Sequence, residues 1–427
     1  MRTGDELVNV YILDLLVIGV LLLIVTLGSG WIARLPLSYA LIYLIVGIVL
    51  SPYGFNLIQV RPEAEFLERV AELVVLISLF SCGLKMNRPM RFFAWRSTTR
   101  LIGLLMPITI FSVAAIAHFI LKLDWGLSIL LGAILAPTDP VLASEVQLYD
   151  SRDRDELRFG ITSEGGLNDA LAFPFVYFGI HWIEKGNWQN WFREWVLVDV
   201  IWAIAAGLAV GFVIAKGIKL VDKRLEPFRT PDDLMEDFVA LSTIFIAYAV
   251  TEVVNGYGFL AVFVAGMAMR RRRNSEYTRN QLHFIERLEK LAEIGTILLL
   301  GSMLRFQPMF AFAGDAFVIA LSLIFVIRPI GAWISTIGLN VNPATRWLYG
   351  WFGIRGVGSI YYLAYAFGNG LKGEDGEQIA WITFWTIVIS VLLHGITSTP
   401  LMQWYERNIE HNREIEPKAA QHEEQGT

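Results

Sequence analysis

Residues 161–174 read ITSEGGLNDALAFP and set Glu164 and Asp169 five residues apart, flanked by Ser163 and Asn168. The surrounding chain is apolar, and a carboxylate facing lipid costs roughly 3 kcal/mol or more. A second polar group lies upstream in LAPTDPVLASE, where Pro137 and Pro140 bracket Thr138 and Asp139. Proline removes a backbone donor and clashes with the preceding turn, so this pair predicts a helix that unwinds. Free carbonyls, a hydroxyl and a carboxylate together make an environment for a hard cation. Unwound backbone at membrane depth is tolerated only where it lines a cavity or is buried in protein, and discontinuous helices recur at the ion sites of transporters. On a helix Glu164 and Asn168 share a face. Ser163 stands about 100° from Glu164, and Asp169 about 100° from Asn168. Gly165 and Gly166 let a neighbouring helix approach closely.

Two arginines complete the polar set, Arg328 in LIFVIRPIGAW and Arg355 in WFGIRGVGSIYY. Arginine stays protonated, so each requires a carboxylate. The acids at comparable depth are Glu72, Asp139, Glu164, Asp169 and Glu252. The expected pairs are Arg328 with Glu164 and Arg355 with Glu72, both structural. That leaves Asp139 and Asp169 as free acids, and intramembrane carboxylates mark ion paths or proton relays.

Helices must position these groups. The 427 residues are 55% hydrophobic and 18% charged, with mean hydropathy +0.51, against about 25% charged in a soluble domain. At roughly 20 apolar residues per span, about 13 spans are expected. They lie near 8–29, 37–52, 66–86, 98–121, 124–149, 156–184, 196–221, 233–255, 257–271, 285–304, 312–338, 344–369 and 379–405. Lysine and arginine crowd into alternate connections, which puts the N-terminus outside and the C-terminus in the cytoplasm of a cell membrane. Arg270–Arg273 reads as a topology anchor, not a nucleic-acid contact. The one cysteine, Cys82, excludes an internal disulfide and gives no support for a thiol metal cluster. The six histidines show no metal-ligand spacing, and those near helix ends, including His394, suit interfacial roles. No basic leader with a cleavage site precedes the first apolar run, which is expected to stay as a membrane helix. The polar tail, 406–427, is expected to be disordered or loosely helical.

PTDPVLASEV, then SEGGLNDALAFP, then an arginine–proline in a late span, then GIRGVGSI: this ordered set resembles the monovalent cation:proton antiporter superfamily. The Asn168–Asp169 pair resembles the electroneutral sodium/proton exchanger branch; the electrogenic branch carries two aspartates there. The resemblance implies an all-α polytopic membrane protein of two inverted repeats with crossed discontinuous helices. Within a membrane domain of 1–405 it implies a core, approximately 98–184 and 312–405, that carries the site. A scaffold, approximately 8–86 and 196–304, would join two copies in a homodimer. It further implies that Asp169 carries the cation or proton, that Thr138, Asp139, Ser163 and Asn168 assist or frame the site, and that Glu164 and Arg328 form a structural pair. Na+ would be held by Asp169, Thr138 and Ser163.

The expected function is exchange of a monovalent cation, Na+ before Li+, for H+ in a 1:1 cycle of alternating access. It needs no cofactor, no nucleic acid and no enzymatic step. Asp169 would bind one cation or one proton, and a bare charged carboxylate would not cross. K+/H+ antiport is the alternative. A sodium:solute symporter of the same fold needs a roomier pocket, and a cation channel needs no titrating acid. An intramembrane aspartyl protease would also use two helical aspartates, but its GxGD signature is absent.

Overall fold

A computed structural model describes residues 39–57, 65–86, 88–89, 91–140, 142–143, 146–148, 153, 155–225, 233–270, 276–303 and 310–424, with isolated positions between 12 and 27. The expected span 8–29 and Arg271–Arg273 therefore fall largely or wholly outside the described residues. Among the described residues, every regular element is helical.

The helices are α1 (Tyr39–Leu50), α2 (Glu65–Lys85), α3 (Phe93–Phe119), α4 (Trp125–Leu135), α5 (Glu156–Leu171), α6 (Phe173–Lys185) and α7 (Phe192–Leu225). They continue as α8 (Asp233–Val253), α9 (Gly258–Met269), α10 (Glu276–Met303), α11 (Ala313–Ser335), α12 (Pro343–Trp351), α13 (Val357–Gly368) and α14 (Gly373–Glu424). Four of the described helices, α3, α7, α11 and the Gly373–Asn408 part of α14, are long and apolar enough to cross a membrane.

Local chemistry explains the interruptions. The expected span 156–184 is two helices: α5 begins at Asp155, whose carboxylate accepts the Arg158 N–H at 2.9 Å, and α6 opens with Pro174 in its first turn. α3 and α11 each contain a π-helical turn, Leu101–Leu105 and Leu323–Ile327, followed at once by Met106–Pro107 and Arg328–Pro329. A widened turn accommodates a residue with no N–H and a ring that crowds the preceding turn. The expected spans 124–149 and 344–369 are broken: backbone 136–140 and backbone 352–356 are not helical. α14 continues as helix through the polar tail to Glu424.

Packing gathers the helices into two groups. α7, α8 and α9 pack together, α8 and α9 also onto α2, and α10 packs on α1, α2 and α8. α3, α4 and α6 form a second group, to which α11, α12 and α14 attach. α5 and α13 lie between the groups, each against α2. Small residues permit the closest crossings: a side chain at Gly47 would meet the Gly301 backbone at 2.9 Å.

Candidate functional site

The two helix breaks meet. Asp139 N–H donates to the Ile354 carbonyl at 2.8 Å. The Asp139 carboxylate accepts the N–H of Val357, which opens α13, and that of Leu142 at 3.3 Å. Arg355 donates from Nη1 to the Pro137 carbonyl at 3.1 Å. An anion thus sits at the N-terminus of α13 and a cation at the carbonyl end of α4, each where the helix dipole favours it. Gly356 is required by this approach, because a Cβ there would run into the Asp139 carboxylate. The far side of the second break is held by α14. His394 Nε2 lies 2.8 Å from the Trp351 carbonyl, and Ser390 Oγ accepts the Arg355 N–H at 2.9 Å.

α5 presents its polar face to this crossing. Asp169 is 1% exposed, and neither carboxylate oxygen has a donor among the described residues. Its charged neighbours are Asp139 and Arg355. α13 approaches so closely that a Cβ on Gly358 would lie 2.5 Å from Asp169 Oδ1, and the Tyr362 hydroxyl donates to the Asp169 main-chain carbonyl. Asn168 Nδ2 donates to Thr138 Oγ1 at 2.8 Å, while Asn168 Oδ1 is buried without a partner. Buried polar atoms are nearly always paired, because leaving one unpaired costs about 1–3 kcal/mol. Three such oxygens on consecutive residues beside an unwound backbone form an acceptor-only site, which a proton or a hard cation satisfies.

Arg328 and Glu164 make a bidentate bridge, Nη1–Oε1 2.5 Å and Nη2–Oε2 2.9 Å. Arg328 Nη2 also reaches the Phe352 carbonyl at 3.1 Å, tying the bridge to the second break. The expected Arg355–Glu72 pair does not form. Glu72 meets Arg69 at 3.3 Å and accepts the Tyr248 hydroxyl, whereas Arg355, fully buried, uses a carbonyl freed by the unwound Pro137. Ser163 also departs from expectation. Its hydroxyl meets Thr98 Oγ1 at 2.6 Å and donates to the Gly160 carbonyl at 3.1 Å, and it stands about 120° around α5 from Asp169. The structure therefore groups Asp169, Asn168, Thr138 and Asp139, and turns Ser163 of α5 away toward Thr98 on α3. Glu252 accepts the Gly258 N–H at 3.0 Å and shares with Glu72 a cavity of about 530 Å³ that Phe173, Tyr257 and Tyr361 also line. Thr98, Tyr362, Ser390 and His394 carry no motif around them, and only their folded positions reveal their contacts.

Residues 19–404 match the family model described as "Sodium/hydrogen exchanger, transmembrane". The K(+)/H(+) antiporter NhaP of Alkalimonas amylolytica is 26% identical over 405 residues, 93% of this chain and 67% of its own length. The K(+)/H(+) antiporter NhaP2 of Shewanella baltica is 25% identical over 391 residues, covering 90% of this chain and 65% of its own length. The chain spans about two thirds of the length of these relatives. The sodium proton antiporter MjNhaP1 from Methanocaldococcus jannaschii has the same fold, with a TM-score of 0.69 at 20% identity over 89% of this chain and 99% of that one.

Proposed function

Because the chain belongs to the family of transmembrane sodium/hydrogen exchangers, we propose that it exchanges a monovalent cation, Na+ first, for H+ in a 1:1 cycle in which Asp169 carries either one. The observation that carries this reading is the Asp169 carboxylate, 1% exposed with both oxygens unpartnered beside the crossed breaks. Withdrawn from water, a carboxylate holds a proton more readily, and a cation at the same oxygens displaces it. One carboxylate then serves two ligands that exclude each other.

The remaining groups act around it. The cation takes the Asp169 carboxylate, Asn168 Oδ1 and water, with Thr138 holding the Asn168 amide in place. Ser163 supports the site at one remove through Thr98. Asp139 and Arg355 supply one fixed charge of each sign at the crossing, and Glu164 and Arg328 cancel each other. Asp169 is then the charge left to the transported ions. The crossing's hydrogen bonds join α4, α5, α11, α12, α13 and α14, so these helices, with α3 and α6, move as a core against a scaffold of α1, α2 and α7–α10. Two copies join through the scaffold in the cell membrane, with the C-terminus in the cytoplasm. K+ is the second reading, favoured by the K(+)/H(+) antiporters among the relatives.

Proton flux in everted vesicles tests this. Na+, Li+ or K+ is added in turn to a preformed pH gradient, with wild type beside Asp169→Asn. Collapse of the gradient in wild type alone is expected, and the order of effective cations gives the selectivity. A wild type indifferent to all three between pH 6 and 9 rejects exchange, and an Asn variant at wild-type rate removes Asp169 from its role.

A further inference from the structure

One helical turn beyond the site stands a layer of aromatic rings. Asp169 lies against Gly358 of α13, where a Cβ would sit 2.5 Å from its Oδ1. Phe173 follows Asp169 by four residues, and Tyr361 and Tyr362 follow Gly358 by three and four. The main chain keeps helical dihedrals at Ala172, φ −75° and ψ −24°, so about 5.4 Å of rise separates the carboxylate from the rings along both chains. The two chains are tied at this level. The Tyr362 hydroxyl donates to the Asp169 carbonyl, and the Tyr362 ring meets Phe173 edge-on at 5.1 Å. Phe173, Tyr361 and Tyr362 are all buried.

The α7–α9 group completes the layer. Phe173 stacks on Tyr257 at 5.2 Å and 17°, and meets Phe259 edge-on at 5.3 Å. Tyr361 packs on Phe259 at 4.9 Å. Tyr257 is held in place by α7: its N–H donates to the Ala203 carbonyl at 3.1 Å, and its hydroxyl to the Asp199 carbonyl. Phe173, Tyr257 and Tyr361 also line the cavity of about 530 Å³, together with the carboxylates of Glu72, Asp199 and Glu252. The same rings therefore bound the cavity and cover the level of Asp169. A packed apolar constriction keeps out water and ions until it parts. Ring contacts impose less directional constraint than hydrogen bonds, so such a seam can slide and re-form.

We propose that Phe173 is a gate of the exchanger. Its ring, clamped between Tyr257 and Phe259 on the scaffold and Tyr361 and Tyr362 on the core, separates the cavity from Asp169 and swings clear when a cation enters from the cavity. Phe173 controls access and does not touch the bound cation. Glu72 lies in the first half of α2 and Lys85 at its end, so the cavity belongs to the face opposite Lys85, expected to be outside. This inference rests on the exchange reading above.

The test is uptake of the cation that wild type exchanges, in proteoliposomes without a pH gradient. A thiocyanate diffusion potential drives the cation inward, and proton exit is recorded alongside. Wild type should take up no cation without releasing protons. Phe173→Ala leaves the cavity joined to Asp169 whenever the other side opens, so its cation uptake should exceed wild type about tenfold with no proton released in return. Phe173→Leu keeps apolar bulk in the layer and should stay coupled. Phe178→Ala loses the same bulk from the same helix, but Phe178 packs on Trp182, Trp191 and Trp195 instead, so this variant should also stay coupled. If Phe173→Ala does not reach the membrane, Tyr257→Ala decides: it should leak in the same way, whereas Tyr257→Phe, which keeps the ring, should not. A Phe173→Ala protein that exchanges with wild-type coupling overturns the proposal. So does one that reaches the membrane and moves neither ion, or a Phe178→Ala protein that leaks equally. A wild type that exchanges no cation for protons even when a pH gradient is supplied sinks the exchange reading itself, whereas an active wild type beside a coupled Phe173→Ala sinks only this inference.

Discussion

Glu164 and Asp169 are equally buried on one helix, yet only one of them is spoken for. Both Glu164 oxygens are taken by Arg328, while the oxygens of Asp169 have no donor among the described residues. Replacing Asp169 by Asn keeps the shape and removes the charge, so exchange should fall to background while the protein still reaches the membrane and melts near the wild-type temperature. Loss of the folded protein instead would assign Asp169 to structure. Arg328 should behave in the opposite way. Arg328→Leu strands a buried carboxylate and should cost about 3–5 kcal/mol, read as a lowered melting temperature in detergent. Adding Glu164→Leu removes the stranded charge and should recover a good part of that loss. The bridge was legible in the sequence because a buried arginine must find an acid. The same reasoning misplaced Arg355, because counting acids ignores the main-chain carbonyls that an unwound helix sets free.

At the scale of elements, the breaks at 136–140 and 352–356 are what convert two apolar helices into a site. Pro137 and Pro140 announce the first in the sequence, through the missing donor; the second is implied only by the family resemblance, which carries crossed discontinuous helices. The order of helices could also be read from hydropathy, although Ala172 divides one expected span in two. What holds the breaks together could not be read, because Ser390 and His394 arrive from α14, distant in sequence and unmarked by composition. Gly358→Ala tests the closeness of the α13–α5 approach. Its methyl group would occupy space 2.5 Å from Asp169 Oδ1, so it should abolish exchange with little change in the amount of folded protein. Gly217 on α7, where an added Cβ would meet nothing within 4 Å, supplies the control: Gly217→Ala should exchange at the wild-type rate. Equal loss in both variants would point to a general effect of adding bulk to helices.

At the scale of the whole molecule, the balance of fixed charge determines whether the membrane potential does work on the cycle. Glu164 with Arg328, and Asp139 with Arg355, contribute equal charges of opposite sign at the crossing, and in the proposed cycle they travel with it in both directions. In the proposed cycle Asp169 crosses neutralised either by a monovalent cation or by a proton, and the mobile part then carries the same charge inward and outward. Net charge moved per cycle should be zero. Moving one elementary charge against 100 mV is worth about 2.3 kcal/mol, roughly a 50-fold bias, so an electrogenic cycle would be conspicuous. In proteoliposomes with a matched pH gradient and an imposed K+ diffusion potential, cation-driven proton flux should be independent of the potential, and the potential alone should drive none. Flux that follows the sign of the potential would require a second titrating group to cross with Asp169. Asp139 would be the first suspect, its hydrogen bonds to Val357 and Leu142 then breaking within each cycle. The electroneutral reading therefore depends on those two hydrogen bonds persisting while the core moves.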